Sequence, residues 1–305
     1  MKPVIDVFAH VLLPDFYERM LALEPTLPEK FPFIKHPHLT DMNKRRQLWD
    51  GSSQQLISYV NVNPEDYLPG PEAASMCRLA NHELEETVRT NKDMFVAGVA
   101  MLPMNELTEA QAILQEVVEG ENLVGVQLFT RALGKSIAAP EFKVIFERCA
   151  ELDLPIWLHP VFDERKPDNN IVFSWEYELS QAMLQLVQAG IFQDFPDLKI
   201  IVHHAGAMIP FFAERIRHIL AEQAADFRKF YVDTAILGNP KALELTLDYF
   251  GLDHLLFGTD APLGIAPAGA TQVIEEAIEA LPISAADKRA IFAGNAQRLI
   301  LKEGR

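Results

Sequence analysis

The chain has 305 residues. At about 150 residues per domain that suggests two domains, yet one closed α/β barrel of about 250 residues satisfies the same length. With 49% apolar and 23% charged residues it has ample material for a core, which excludes disorder. Its 43 acidic and 27 basic residues give a net charge of −16, a field that repels phosphate backbones and anionic lipid, so neither a nucleic acid nor a membrane is an expected partner.

Two cysteines, Cys77 and Cys149, make no disulfide framework, and Cys149 sits in an apolar helical run with Phe146 and Leu152, as a buried inert thiol does. No stretch approaches the ~18 apolar residues of a membrane span. Met1 to Asp6 holds one lysine and no apolar core of a secretory signal, so a soluble cytoplasmic protein is expected.

Apolar runs rich in β-branched residues alternate with helical patterns. The predicted strands are Val4–Phe8, Gln55–Val62, Val96–Leu102, Val124–Phe129, Pro155–His159, Lys199–His203, Phe230–Asp233 and His254–Gly258. Most are continuous apolar runs, the pattern of strands buried on both faces of a parallel sheet. Helical stretches between them include Glu72–Thr90, Glu106–Glu119, Glu141–Leu152 and Pro240–Phe250, with Pro240 at a first turn. A terminal helix follows Ser284, the predicted N-cap, with Asp287 three residues on.

Eight strands alternating with helices fit either an open doubly wound sheet or a closed (β/α)8 TIM barrel. A dinucleotide-binding sheet needs a glycine-rich turn after its first strand. Here that turn reads Ala9-His10-Val11-Leu12-Leu13-Pro14, without glycine, so the barrel is favoured, as one domain over residues 1–305. Residues 11–50 form a long insertion after the first strand, with five prolines and several aromatic residues. In a barrel such an insertion lies on the carboxyl-end face, where it reads as a lid or pocket wall.

Polar residues at the carboxyl ends of barrel strands point into one mouth. Those ends carry His10, His159, His203 and His204, and Asp260 in the eighth. Each alone has an ordinary structural reading, and Asp260 alone is as good a helix cap. Together, imidazoles from strands one, five and six with a carboxylate from strand eight make a ligand set suited to zinc or manganese. An aspartate beside such a metal also moves protons.

His10 after the first strand, Leu158-His159-Pro160, the run from Lys199 through His203-His204-Ala205-Gly206 to Phe212, and Phe257-Gly258-Thr259-Asp260-Ala261-Pro262 together resemble the amidohydrolase superfamily. The best match is the branch that holds aminocarboxymuconate-semialdehyde decarboxylase and the γ-resorcylate-type decarboxylases. The resemblance implies that His10, His159 and Asp260 are metal ligands. It also implies that His204 is a catalytic histidine beside the metal, with Asp260 sharing the catalytic role. It further implies that Arg215, on the helix after strand six, reaches a substrate carboxylate in the neighbouring subunit of a homodimer. The implied cofactor is a divalent metal, zinc first and manganese second, and the implied partner a small carboxylic acid.

One departure matters. The family's first strand normally ends His-x-His, and this chain has Phe8-Ala9-His10. A two-residue period sets Asp6, Phe8 and His10 on one face. Three consequences stay open: a metal held more weakly by His10, His159, Asp260 and water; a replacement oxygen from Asp6; or a metal-free site in which Phe8 packs on a substrate ring. The same mouth suits non-oxidative decarboxylation best and hydrolysis of a lactone or amide second. A barrel that has lost catalysis and merely binds a small acid is the third reading; Phe8 favours it and the other retained polar residues oppose it.

Overall fold

The computed structural model describes residues 4–49 and 51–301. Seven parallel strands run in sequence order around one sheet: Ile5–Val11, Gln54–Tyr59, Phe95–Ala100, Leu123–Phe129, Ile156–His159, Ile200–Val202 and Tyr231–Val232. The segment Leu255–Gly258 supplies the eighth stave without a regular ladder. It touches the seventh strand through a Val232–Leu255 bridge and the Leu256 N–H to Val232 carbonyl bond of 2.9 Å. It meets the first through Val7 N–H to Phe257 O at 2.8 Å, and Asp260 N–H to Phe8 O at 2.9 Å. The circle closes as a (β/α)8 barrel.

Inside, Ile5, Val7, Phe8, Leu56, Ala97, Val99, Trp157, Ile201 and Leu256 pack together, and Ala293, Ala296 and Leu299 of the terminal helices close the amino-end face. Outside, a second and larger apolar layer lies between strands and helices. This two-sided burial explains why the strands read as unbroken apolar runs. The helices Gly70–Thr90, Leu107–Glu119, Lys143–Glu151 and Pro240–Phe250 lie close to the sequence expectations. Asn239 caps the last of these, accepting from Lys241 and Ala242 N–H groups, and Ser284 with Asp287 forms a reciprocal capping box.

The described part of the insertion, residues 11–49, folds into short helices, Pro14–Leu23, Leu27–Lys30, Pro37–Thr40 and Met42–Leu48, with a tighter turn at Pro32–Lys35. Prolines occupy the first turns of three of these helices and of the tighter turn, where a missing N–H costs nothing. Leu12, Phe16, Met20, Leu27 and Leu39 are fully buried and anchor the insertion. Arg45, also buried, donates to the His10 carbonyl at 2.6 Å and to Gln55 Oε1 at 2.7 Å. One insertion residue is thereby fastened to the strand end that carries His10.

The first strand departs from simple alternation. Its register against the second slips by one residue between Asp6 and Ala9, a bulge that turns Val7 and Phe8 both into the barrel. Asp6 faces the other way, toward Gln55 and the insertion. It accepts from Thr259 N–H (3.1 Å), Thr259 Oγ1 (2.6 Å), Gln55 Nε2 (3.0 Å) and Phe8 N–H (3.2 Å). The expectation that Asp6 shares a face with Phe8 and His10 is therefore corrected, and with it the idea of Asp6 as a replacement ligand. Both cysteines are free and buried, and burial pushes the Cys149 thiol far up. No helix among the described residues is long and apolar enough to cross a membrane.

Candidate active site

His10, His159, His204 and Asp260 converge at the carboxyl-end mouth, as the strand-end reading expects. His10 Nε2 lies 3.2 Å from Asp260 Oδ1. One nitrogen each from His10, His159 and His203 fall within 4.8 Å of one another, and so do ligand atoms of His203, His204 and Asp260. The backbone makes this possible at two strained points. Asp260 holds φ +63° and His204 φ +54°, left-handed conformations that a non-glycine residue adopts only when its surroundings impose them. Asp260 is pinned there by its N–H to the Phe8 carbonyl, so strands one and eight set the carboxylate together.

Each imidazole is oriented by a partner on Nδ1. For His10 that partner is Ser58 Oγ at 3.3 Å, for His159 the Pro160 carbonyl at 2.8 Å, and for His204 the Glu176 carboxylate at 2.7 Å. His203 Nδ1 meets Asp233 Oδ2 in a very short bond. These contacts leave the Nε2 atoms for the mouth. Nε2 of His10 and of His203 are buried without a hydrogen-bond partner among the described residues. Each approaches Asp260 Oδ1, at 3.2 and 3.5 Å, without the alignment of a hydrogen bond. Buried orphan nitrogens around one carboxylate are what a shared cation would satisfy, so these side chains fit a divalent metal.

For His10, His159 and Asp260, electrostatics point the same way. Burial lowers His10 and drives His159 well below the usual imidazole range, keeping both neutral as ligation requires. Burial would raise the Asp260 carboxyl, but His10 and His203 outweigh it and hold it ionised. For His203, burial works downward and is overcome by Asp233 and Asp260, which lift it above its ordinary value.

Phe8 stands inside this cluster, almost wholly buried. Its ring stacks on His203 with centroids 3.9 Å apart and planes 18° from parallel, and lies 5.6 Å from His10. Trp175 forms another wall, 5.9 Å from His159 and 6.2 Å from His204 between ring centres, with Phe33 of the insertion 6.4 Å behind it. Arg215 lies apart, exposed on the helix Ala213–Ile219.

Three participants escaped the sequence reading. Glu176 and Trp175 begin a helix, Ser174–Gln188, whose start no strand-end rule marks. Asp233 was visible as the end of the seventh strand, and its polarity after Tyr231-Val232 was the available signal. His203 was noted beside His204, but no local rule says which of two adjacent histidines turns inward.

A closed parallel α/β barrel with imidazoles and a carboxylate gathered at its carboxyl-end mouth defines a class of metal-assisted enzyme scaffolds. The amidohydrolase family model matches residues 38–300, and the chain belongs to that family. The match begins beyond the first strand, so the unusual Phe8 and His10 lie outside it. Among characterised relatives, the γ-resorcylate decarboxylase of a Polaromonas species is 27% identical over 92% of this chain and 96% of its own length. The 6-methylsalicylic acid decarboxylase of Penicillium expansum is 28% identical over 76% and 78%. The decarboxylase orsB of Emericella nidulans is 29% identical, but the match spans only 62% of that protein and 65% of this chain. The solved 5-carboxyvanillate decarboxylase of Sphingomonas paucimobilis superposes with a TM-score of 0.87 over 99% of both chains; at 20% identity it bears on the fold alone. A dihydroxybenzoic acid decarboxylase from Polaromonas, 25% identical with a TM-score of 0.82 over 98% of this chain and 97% of its own, carries bound manganese and 2-nitroresorcinol.

Proposed function

We propose that the chain is a metal-dependent non-oxidative decarboxylase of a small aromatic carboxylic acid. One observation carries this reading: orphan imidazole nitrogens and an ionised carboxylate share a buried mouth walled by Phe8 and Trp175. His10, His159 and Asp260 are the proposed ligands, with zinc or manganese as the metal. Bound there, the metal would polarise a phenolic or carboxylate oxygen of the substrate.

Decarboxylation breaks the bond between the ring carbon and its carboxylate. The electron pair stays on the ring carbon, carbon dioxide leaves, and a proton must arrive at that carbon. His204 is the proposed proton donor: its Nδ1 is held by Glu176, which leaves Nε2 to face the mouth. Glu176 fixes the plane of the ring through Nδ1 and so aims Nε2 at the substrate. Asp260, ionised in the resting site, is the alternative carrier when its second oxygen takes up a proton. The apolar walls of Phe8, Phe129 and Trp175 hold an aromatic ring and limit water at the carbon to be protonated.

The chain is further proposed to act as a homodimer, in which Arg215 of one subunit holds a substrate carboxylate at its partner's mouth. Incubation of the manganese-loaded protein with 2,6-dihydroxybenzoate, 6-methylsalicylate and 5-carboxyvanillate tests the reaction. Stoichiometric carbon dioxide from at least one of them is expected. No release from any of these acids, with hydrolysis of a lactone instead, overturns the proposal.

A further inference from the structure

Phenylalanine at position 8 leaves the first strand with one imidazole, yet the mouth still contains three that approach one another. Nitrogen atoms of His10, His159 and His203 lie within 4.8 Å. The third comes from strand six, where Ile201 packs in the barrel interior and His203, two residues on, lies against Phe8 in the same interior. We infer that His203 supplies the ligand that Phe8 cannot, so that this chain holds its metal through His10, His159, His203 and Asp260. The inference rests on the metal-dependent reading above and goes beyond it by assigning the replacement.

Three independent observations support it. First, Asp233 fixes the ring. Its Oδ1 accepts from the N–H groups of Ala205 (3.1 Å) and Ala235 (2.9 Å), and its Oδ2 accepts a very short hydrogen bond from His203 Nδ1. That carboxylate–imidazole arrangement holds Nδ1 and turns Nε2 toward the mouth, the orientation a ligating histidine requires. Second, His203 Nε2 is buried and has no hydrogen-bond partner among the described residues, while facing the same Asp260 oxygen as His10. A buried imidazole with one nitrogen so carefully satisfied and the other unsatisfied is a poor structural residue and a good ligand.

Third, the residue that gave up ligation now supports the substitute. Phe8 lies flat on the His203 ring at 3.9 Å and fixes its plane. Gly258 leaves room for this packing: a Cβ there would come within 2.7 Å of Asp233 Cβ and 3.2 Å of Phe8 Cβ. The adjacent His204 is turned onto Glu176 instead, so the two neighbouring histidines divide ligation from proton handling.

The test loads the full chain with zinc and counts imidazole ligands by X-ray absorption, alongside zinc affinity by competition with a chromophoric chelator. The expected result is three imidazoles in wild type and two in His203→Gln, with affinity at least roughly 100-fold weaker. Asp233→Asn keeps the His203 side chain but removes the negative charge that orients it, and should weaken zinc by roughly 10- to 100-fold. Circular dichroism of each variant verifies folding. If His203→Gln does not fold, the Asp233→Asn affinity and the wild-type ligand count carry the decision. A third imidazole should return in the double variant Phe8→His/His203→Gln. Zinc bound with equal affinity and equal imidazole count in wild type and His203→Gln overturns this inference and leaves the metal reading standing. Failure of wild type to bind zinc or manganese overturns both.

Discussion

Glu176 Oε1 lies 2.7 Å from His204 Nδ1, joining the start of the helix Ser174–Gln188 to the turn after strand six. The pair orients an imidazole whose ring is one-tenth exposed, next to a carboxylate that is about one-quarter exposed. Replacing Glu176 by Gln keeps an acceptor for the Nδ1 proton but removes the charged partner that holds the ring in place. Activity on an aromatic acid should fall about tenfold or more in kcat with KM little changed, and melting temperature should hold. His204→Ala should cost more, on the order of 10²–10⁴ in kcat, the usual worth of a positioned acid. Equal kcat in wild type and His204→Ala would remove His204 from the chemistry.

Phe8 is a core residue as well as a wall. It is 1% exposed and packs with Val7, Leu56, Trp157 and Leu256 inside the barrel. Phe8→Ala should lower unfolding free energy by about 3–5 kcal/mol, the cost of a large cavity in a core that cannot collapse. Urea unfolding in the presence of chelator checks this without any contribution from metal. A loss under about 1 kcal/mol would mean that the ring is poorly packed and that the stacking on His203 is incidental.

Most of the architecture was legible because a barrel strand buried on both faces has an unmistakable composition. The eighth stave is an instructive limit: its apolar run Leu255-Leu256-Phe257 was readable, while the scattered bonds to strands one and seven that stand in place of a regular ladder were not. His10, His159, His204 and Asp260 were readable because strand ends in a barrel all face one mouth. The bulge between Asp6 and Ala9 was not, since an extra residue in a strand changes no composition and yet reverses the face of Asp6. The inward turn of His203 likewise depends on Asp233, thirty residues away in sequence, and on the plane of Phe8.

Glu65 gives the fold a pH dependence separate from the active site. Its side chain is buried in the short turn Pro64–Asp66, with Oε2 unpartnered among the described residues. Burial raises its carboxyl from 4.5 to about 8, against a lowering by backbone N–H groups and with a further upward push from Asp66. The folded chain therefore keeps a proton that the unfolded chain releases between these values. Stability from this group is full below pH 4.5 and declines as pH rises toward 8, by at most about 1.4 kcal/mol per pH unit. Glu65→Gln should flatten that decline, so that urea midpoints of variant and wild type diverge as pH rises from 5 to 8. Parallel curves across this window would show that Glu65 is ionised in the folded protein.

Arg215 is exposed on the helix Ala213–Ile219 and makes no ion pair among the described residues, while its neighbours Glu214 and Arg217 pair with each other. Beside it Phe211 is 75% exposed, Phe212 40% and Ile219 65%, a run of large apolar side chains that water covers poorly. An unpaired guanidinium rimmed by exposed aromatic rings suits a contact with a second copy better than open solvent. Light scattering at micromolar concentration should give twice the monomer mass. Phe211→Asp combined with Phe212→Asp should shift it to the monomer, because two carboxylates would be buried without partners in such a contact. Arg215→Ala should leave the dimer and metal content in place and raise KM for an aromatic carboxylate by roughly tenfold or more, the loss of one charge-assisted contact. Mixing Arg215→Ala with His204→Ala protein separates a cross-subunit role from a local one. If each mouth needs its partner's arginine, some mixed dimers contain one wholly intact site, and activity at low substrate should exceed the mean of the two parents. Activity equal to that mean, with subunit exchange verified by mass spectrometry, would assign Arg215 to its own chain's site or to none.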